Sequence, residues 1–228
     1  MMIWTMKTSR KTDRGPEEII AALREAFAGE KAPSVSAIAH THRDPFRILI
    51  STMISLRTRD EVTTAASERL FAAADTPGTL ALLPAEKIAE TIYPAGFYRT
   101  KAKQIQHVCS ILQREYGGEV PQSLEQLVQL PGVGRKTANL VLGLGFGIPA
   151  VCVDTHVHRI SNRLGWVSTA KPEATEHALE QIVPRRHWIE LNGLFVAFGQ
   201  RVCTPGAPRC SSCVLRDECP RVGVTRSR

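Results

Sequence analysis

Aromatic residues supply only 6% of this 228-residue sequence, which argues against a protein that grips a single strand of nucleic acid by stacking base after base. No apolar run is long enough to span a bilayer. The first residues, MMIWTMKTSRK, hold too short an apolar stretch for a secretory signal. No sequence repeat, no low-complexity segment and no convincing strand pattern interrupts the helical periodicity. These absences leave an all-α protein, expected to be cytoplasmic, monomeric and without a membrane partner. In that compartment its six cysteines are thiols or metal ligands rather than disulfides.

The composition is otherwise ordinary, with 43% hydrophobic and 22% charged residues, and the length suffices for one large domain or two small ones. Lysine and arginine outnumber the acids, 29 to 22, a net charge of +7. That balance favours a polyanionic partner, nucleic acid first.

The most informative stretch is Leu130 to His156, LPGVGRKTANLVLGLGFGIPAVCVDTH. It opens on Pro131-Gly132-Val133-Gly134, whose alternate glycines allow positive φ and a close approach of backbone N–H groups to another molecule. Arg135 and Lys136 follow, then Ala138, Leu140, Val141 and Leu144 at helical spacing. The turn therefore delivers two cations to a helix N-terminus, where the helix dipole is already positive. An anion such as phosphate relieves that conflict. A positive potential also disfavours a charged amine, which marks Lys136 as an amine nucleophile for Schiff-base chemistry. Eighteen residues on, the apolar segment Ala150-Val151-Cys152-Val153 runs into Asp154-Thr155-His156, with Asp154 at the N-cap position of the next helix. For a lone GxG an ordinary helix–turn–helix corner with solvated charges would be the better reading; Lys136 and Asp154 reverse that balance.

The rest of the chain reads as helices. Residues 1 to 14 form a basic arm or a frayed terminus. Pro16 opens a helix, and Gly29 to His42 reads as a loop or linker. Asp44-Pro45 caps FRILISTMISLR, apolar nearly all round and so expected at the centre of the fold. Further helices are expected over 61–74, after Thr76-Pro77, after Leu83-Pro84, and from a cap at Thr100. Cys109 falls on the apolar face of that last helix and reads as a core thiol. Ser123 with Gln126 forms a capping box ahead of the hairpin. Helices then run to Leu164, from Pro172 to Val183 and from Trp188 to Gln200.

Near the C-terminus Cys203, Cys210, Cys213 and Cys219 give C-x6-C-x2-C-x5-C. Four potential ligands in seventeen residues are a metal signal. One CxxC with two longer arms leaves both structural zinc and an iron–sulfur cluster open on spacing alone. Cys152 lies in an apolar run and reads as structural.

LPGVGRKTAN followed by VDTH, with the four cysteines in this order, resembles the helix–hairpin–helix DNA glycosylases of the endonuclease III family from about Pro45 to Cys219. The resemblance implies two helical lobes flanking a DNA-binding cleft. One is a six-helix barrel over 38–148, its hairpin motif at about 123–146. The other joins 1–37 to 149–228 and carries the cluster loop 203–219. The same four-cysteine spacing closes the chains of that family, so the resemblance implies a [4Fe–4S] cluster. The implied activity is base excision: a bifunctional glycosylase/AP lyase that flips a damaged pyrimidine out of double-stranded DNA, attacks the sugar through Lys136 with the help of Asp154, and also cuts abasic sites. Leu130, Gly132, Val133, Gly134, Arg135 and His156 are implied DNA contacts. Phe97 takes the place of an intercalating leucine. Arg57 stands where a glutamine often enters opposite the lesion, which leaves the opposite-base preference open. Arg209 is the cation retained in the cluster loop.

Two other readings stay open. A monofunctional mismatch or adenine glycosylase of the same superfamily would carry serine or tyrosine at the position of Lys136, and the adenine branch an extra C-terminal domain. A non-catalytic metal-containing DNA-binding module would bind DNA without cutting it. An electron-transfer protein would have no use for the hairpin, Lys136 or Asp154.

Overall fold

The computed structural model describes residues 14–29 and 33–228. The basic arm expected over residues 1–14 lies outside that range except for Arg14, which pairs with Glu218 at 3.3 Å. In chain order the helices are α1 Pro16–Ala26, α2 Ser34–His42, α3 Pro45–Ser55, α4 Asp60–Ala73, α5 Pro77–Leu82, α6 Ala85–Ile92, α7 Tyr98–Glu115, α8 Leu124–Leu127, α9 Arg135–Phe146, α10 Thr155–Arg163, α11 Pro172–Ile182 and α12 Trp188–Arg201. Two 3-10 turns, Arg185–His187 and Cys210–Ser212, complete the regular structure. Among the described residues every regular element is helical, and no helix is long and apolar enough to cross a membrane. The described residues form two compact units, one of 33–152, the other of 14–29 with 153–228.

In the first unit α3 is the central element. Asp44 Oδ1 caps it by accepting from Phe46 N at 2.9 Å and Arg47 N at 3.4 Å. Ile48, Leu49, Ile50, Met53 and Ile54 are all at most 1% exposed, each worth about 1.5–3 kcal/mol of burial. Helices α2, α4, α7 and α9 pack around it. Residues 34–42, expected as loop, are helical because Val35 and Ala39 are buried against this core and Ser34 Oγ donates to Asp60 Oδ1 at 2.9 Å. Packing overrides a weak local pattern there. Helix α7 begins at Tyr98 rather than after Thr100, with Phe97 as its N-cap in left-handed backbone at φ +58°. It ends at Glu115, where Gly117 and Gly118 take positive φ and Gly118 N donates back to Leu112 O at 2.9 Å.

In the second unit α12 packs against α1 and α10. Ile19, Ile20 and Leu23 of α1, Val157 and Ile160 of α10, and Leu191 and Phe195 of α12 are all at most 1% exposed. Phe27 meets Phe198 edge to face at 6.1 Å.

The hairpin turn between α8 and α9 uses its two glycines differently. Gly132 stands at φ +78°, and a Cβ there would lie 2.8 Å from the Gln104 side chain. Gly134 stands at φ −94° in open space. Gly132→Ala is expected to cost about 1–2 kcal/mol from the left-handed backbone, lowering the thermal midpoint by about 3–6 °C for a chain of this size. Gly134→Ala should cost under about 1 kcal/mol. Thermal unfolding of the two variants side by side checks the difference.

Candidate active site and cysteine centre

The hairpin is built from its core side upward. Ser123 Oγ accepts from Gln126 N at 3.2 Å and starts α8. Leu130 and Val133 are 3% and 5% exposed, so their side chains belong to the core. Val133 N donates to Leu130 O at 3.0 Å, closing the turn. Both residues were expected to touch DNA; their side chains and the Val133 amide are engaged within the unit, which leaves the exposed Gly132 and Gly134 as the outward part of the turn. No side chain caps α9 at Gly134. Arg135 and Lys136 are its first two residues, both half-buried. Behind them the segment 150–152 is laced along α9: Cys152 Sγ donates to Lys136 O at 3.4 Å, and Asn139 Nδ2 to Val151 O at 3.0 Å. Cys152 is thus a buried structural thiol, like Cys109, whose pKa burial pushes up to about 12.

Asp154 belongs to the second unit and begins α10. Its Oδ1 accepts from both His156 N and Val157 N at 2.8 Å. Both bonds use one oxygen, so the other is not needed for capping. His156, half-buried, has its Nδ1 3.1 Å from Arg159 Nη2. A Cβ on Gly199 would sit 2.3 Å from the same ring nitrogen, so α12 meets this imidazole through bare backbone.

Arg57 and Phe97 come together in the first unit. The Arg57 guanidinium lies 5.4 Å from the Phe97 ring centre, a pairing worth about 0.5–1 kcal/mol at an exposed site. Both residues are exposed, Phe97 by 62%. Both also take left-handed backbone, φ +53° and +58°, at about 1–2 kcal/mol each for a non-glycine residue. The sequence reading missed the group beneath them. Lys101 is 5% exposed, and its Nζ donates to Ile54 O at 2.6 Å, Leu56 O at 2.5 Å and Thr58 Oγ1 at 2.9 Å. Burial pushes its pKa down to about 8, and the three oxygens are what makes a buried cation tolerable. The signal was present in the sequence: Lys101 falls in register with Ile105, Val108 and Leu112, on the apolar stripe of α7.

The four C-terminal cysteines line a single cavity of about 30 Å³, together with Ile160, Phe198 and Leu215. None is in a disulfide. Among the described residues no three His, Cys, Asp or Glu are arranged to hold a single metal ion, so the thiols share a cavity without converging as a one-ion site. Burial pushes the Cys213 thiol up to about 11, with the neighbouring cysteines adding to the shift, and raises Cys219 as well. Neighbouring sulfurs that discourage the ionisation of Cys213 and Cys219 suit a group carrying several positive charges. Donors already face the sulfurs: Arg163 Nη1 to Cys203 Sγ at 3.3 Å and Leu215 N to Cys213 Sγ at 3.4 Å. Arg209 lines the same cavity and is exposed.

Residues 50–185 match the sequence model described as "HhH-GPD superfamily base excision DNA repair protein". The chain is 53% identical to Endonuclease III of Thermotoga maritima over 180 residues, covering 79% of this chain and 84% of that protein. It is 44% identical to Endonuclease III-like protein 1 of Bos taurus over 209 residues, covering 87% of this chain and 68% of that one. Its fold matches a trapped endonuclease III–DNA covalent intermediate with a TM-score of 0.80 at 35% identity, over 89% of this chain and 93% of the other. A thermostable thymine-DNA glycosylase, at 24% identity and TM-score 0.79 over 89% and 94%, shares the fold.

Because asparagine keeps the oxygen that accepts the two cap bonds, Asp154→Asn should change unfolding free energy by no more than about 0.5 kcal/mol, whereas Asp154→Ala should cost about 1 kcal/mol. Denaturant titration of the two variants separates the capping role of Asp154 from any chemical one.

Proposed function

Since this chain belongs to the endonuclease III family of HhH-GPD base excision repair proteins, we propose that Lys136 is its nucleophile and Asp154 its essential carboxylate. The protein is a DNA glycosylase with AP lyase activity that acts on damaged double-stranded DNA. Oxidised pyrimidines are its usual substrates, with abasic sites cut as well.

The observation that carries the assignment is the place of Lys136: the second residue of a helix whose N-terminus no side chain caps, directly behind an exposed two-glycine turn. Such an N-terminus attracts a backbone phosphate, and Gly132 and Gly134 let the strand approach closely. Phosphate contacts of this kind set register without reading sequence, which suits an enzyme that must survey all DNA. Arg135, His156 and Arg209 add positive or polar contacts to the backbone. Phe97 fills the gap left by the flipped base, with Arg57 beside it facing the opposite strand.

In the reaction the damaged nucleotide leaves the base stack. The Lys136 Nζ lone pair forms a bond to C1′ as the glycosidic bond breaks, and the base departs with the pair of electrons from the glycosidic bond and gains a proton. Opening of the sugar ring gives the Schiff base. Loss of a proton from C2′ then expels the 3′ phosphate oxygen, cutting the strand 3′ to the lesion, and water hydrolyses the imine. Asp154 stabilises positive charge at the sugar and helps activate the lysine.

Cys203, Cys210, Cys213 and Cys219 hold a [4Fe–4S] cluster in this reading, supported by the shared cavity and the all-thiol donor set. When bound, the cluster fixes the shape of the 203–219 loop and the presentation of Arg209.

Borohydride trapping on duplex DNA containing one thymine glycol should give a covalent adduct with the wild type and none with Lys136→Ala, while Lys136→Ala keeps its DNA affinity. An adduct of normal yield in the variant would reassign the nucleophile. No adduct with either protein would favour a monofunctional glycosylase. The purified chain should also be brown and carry about four irons, and Cys213→Ala should lose both.

A further inference from the structure

Lys101 takes no part in the chemistry assigned to Lys136 and Asp154, yet the backbone around Arg57 and Phe97 is organised by it. All three of its ammonium protons are directed at one short segment, Ile54 to Thr58, where α3 gives way to α4. Two of the acceptors, Ile54 O and Leu56 O, lie at the C-terminal end of α3, where carbonyls lack helical partners and a cation is favoured. The third, Thr58 Oγ1, also accepts from Gly96 N at 3.1 Å, which joins this turn to the one entering α7. The two turns touch so closely that a Cβ on Gly96 would sit 2.3 Å from Arg57 O. Lys101 reaches the second turn through its own backbone as well, because its N–H donates to Phe97 O at 3.0 Å.

One buried ammonium therefore lies between the two turns that carry Arg57 and Phe97. Left-handed backbone at a non-glycine residue persists only where the surroundings over-determine it. Here the over-determination consists of the three Lys101 bonds, the Thr58–Gly96 bond and the missing side chain at Gly96. An apolar residue in place of Lys101 would take its three hydrogen bonds away from the Ile54 and Leu56 carbonyls and the Thr58 hydroxyl.

We propose that Lys101 is a positioning residue: it clamps the 56–58 turn to the 96–97 turn, so that Arg57 and Phe97 meet the duplex as one preset, two-pronged wedge. This rests on the reading above that these two side chains contact DNA. A wedge held in its bound shape before binding avoids the ordering cost that a mobile one would incur.

The test compares two single-turnover rates in the full-length chain. One is base release from a duplex with a single thymine glycol. The other is strand cleavage at an abasic site in single-stranded DNA, where no base has to be displaced and there is no opposite strand. Lys101→Met should lower the ratio of the first rate to the second by at least about tenfold, and Thr58→Val should lower it less. Adding Phe97→Ala to Lys101→Met should change the ratio by less than about twofold, since the wedge is already misplaced. Should Lys101→Met fail to fold by circular dichroism, Thr58→Val alone and combined with Phe97→Ala carries the same comparison. Equal loss on both substrates would mean general support of the fold and would overturn the proposal, as would an unchanged ratio or full multiplication of the two effects. If Phe97→Ala and Arg57→Ala in the wild-type background leave the ratio unchanged, the DNA-contact reading itself fails and the proposal falls with it.

Discussion

A helix that is apolar on nearly every side has to be surrounded, and α3 sets that constraint for the first unit. Eight of its eleven residues, Phe46 to Ile54 apart from Arg47, are buried. Its neighbour α7 then needs only one apolar face, which is how that helix reads in the sequence. Surrounding a helix also removes its last carbonyls from water. Their partner comes from α7, the helix that supplies both the ammonium at the end of α3 and, through Gln104, the side chain packed against the hairpin glycine. The turn behind Lys136 and the turns behind Arg57 and Phe97 are therefore set by the same helix.

Much of this was legible in the sequence, for physical reasons that differ between elements. Hairpin, aspartate cap and cysteine quartet are local: the residues that define each lie within a few turns of chain, so spacing alone carries the signal. Helix α2 was not legible because it has little local reason to exist. Its first turn has no acid and no side chain caps it, and it is held by Val35, Ala39 and the bond from Ser34 to Asp60. Lys101 was hidden for the opposite reason. A lysine on a helix reads as a solvated charge, and its role becomes visible only when oxygens from 43 to 47 residues away are placed around it. A motif match likewise says which residues form the hairpin turn but not that the side chains of Leu130 and Val133 are buried within the unit.

The two units divide the labour differently. In the first, the hairpin turn ahead of Lys136 and the turn entering α7 take shapes that depend on single residues, Gly132 and Gly96. In the second, Asp154 stands on a nine-residue helix that is held along its length by arginines. Arg159 donates to Cys203 O at 3.2 and 2.9 Å and to Gly199 O at 3.3 Å, and Arg163 donates to Thr204 O at 2.7 Å and Pro205 O at 2.6 Å.

That second arrangement bears on how the chain tolerates change. Each of these two arginines serves several acceptors at once through a planar fork, a geometry that lysine does not reproduce. A swap that preserves charge at Arg159 or Arg163 is therefore not a neutral step in sequence space. The same substitution loosens the loop that carries the first cysteine and the helix that begins at Asp154, so neither can drift in sequence independently of the other.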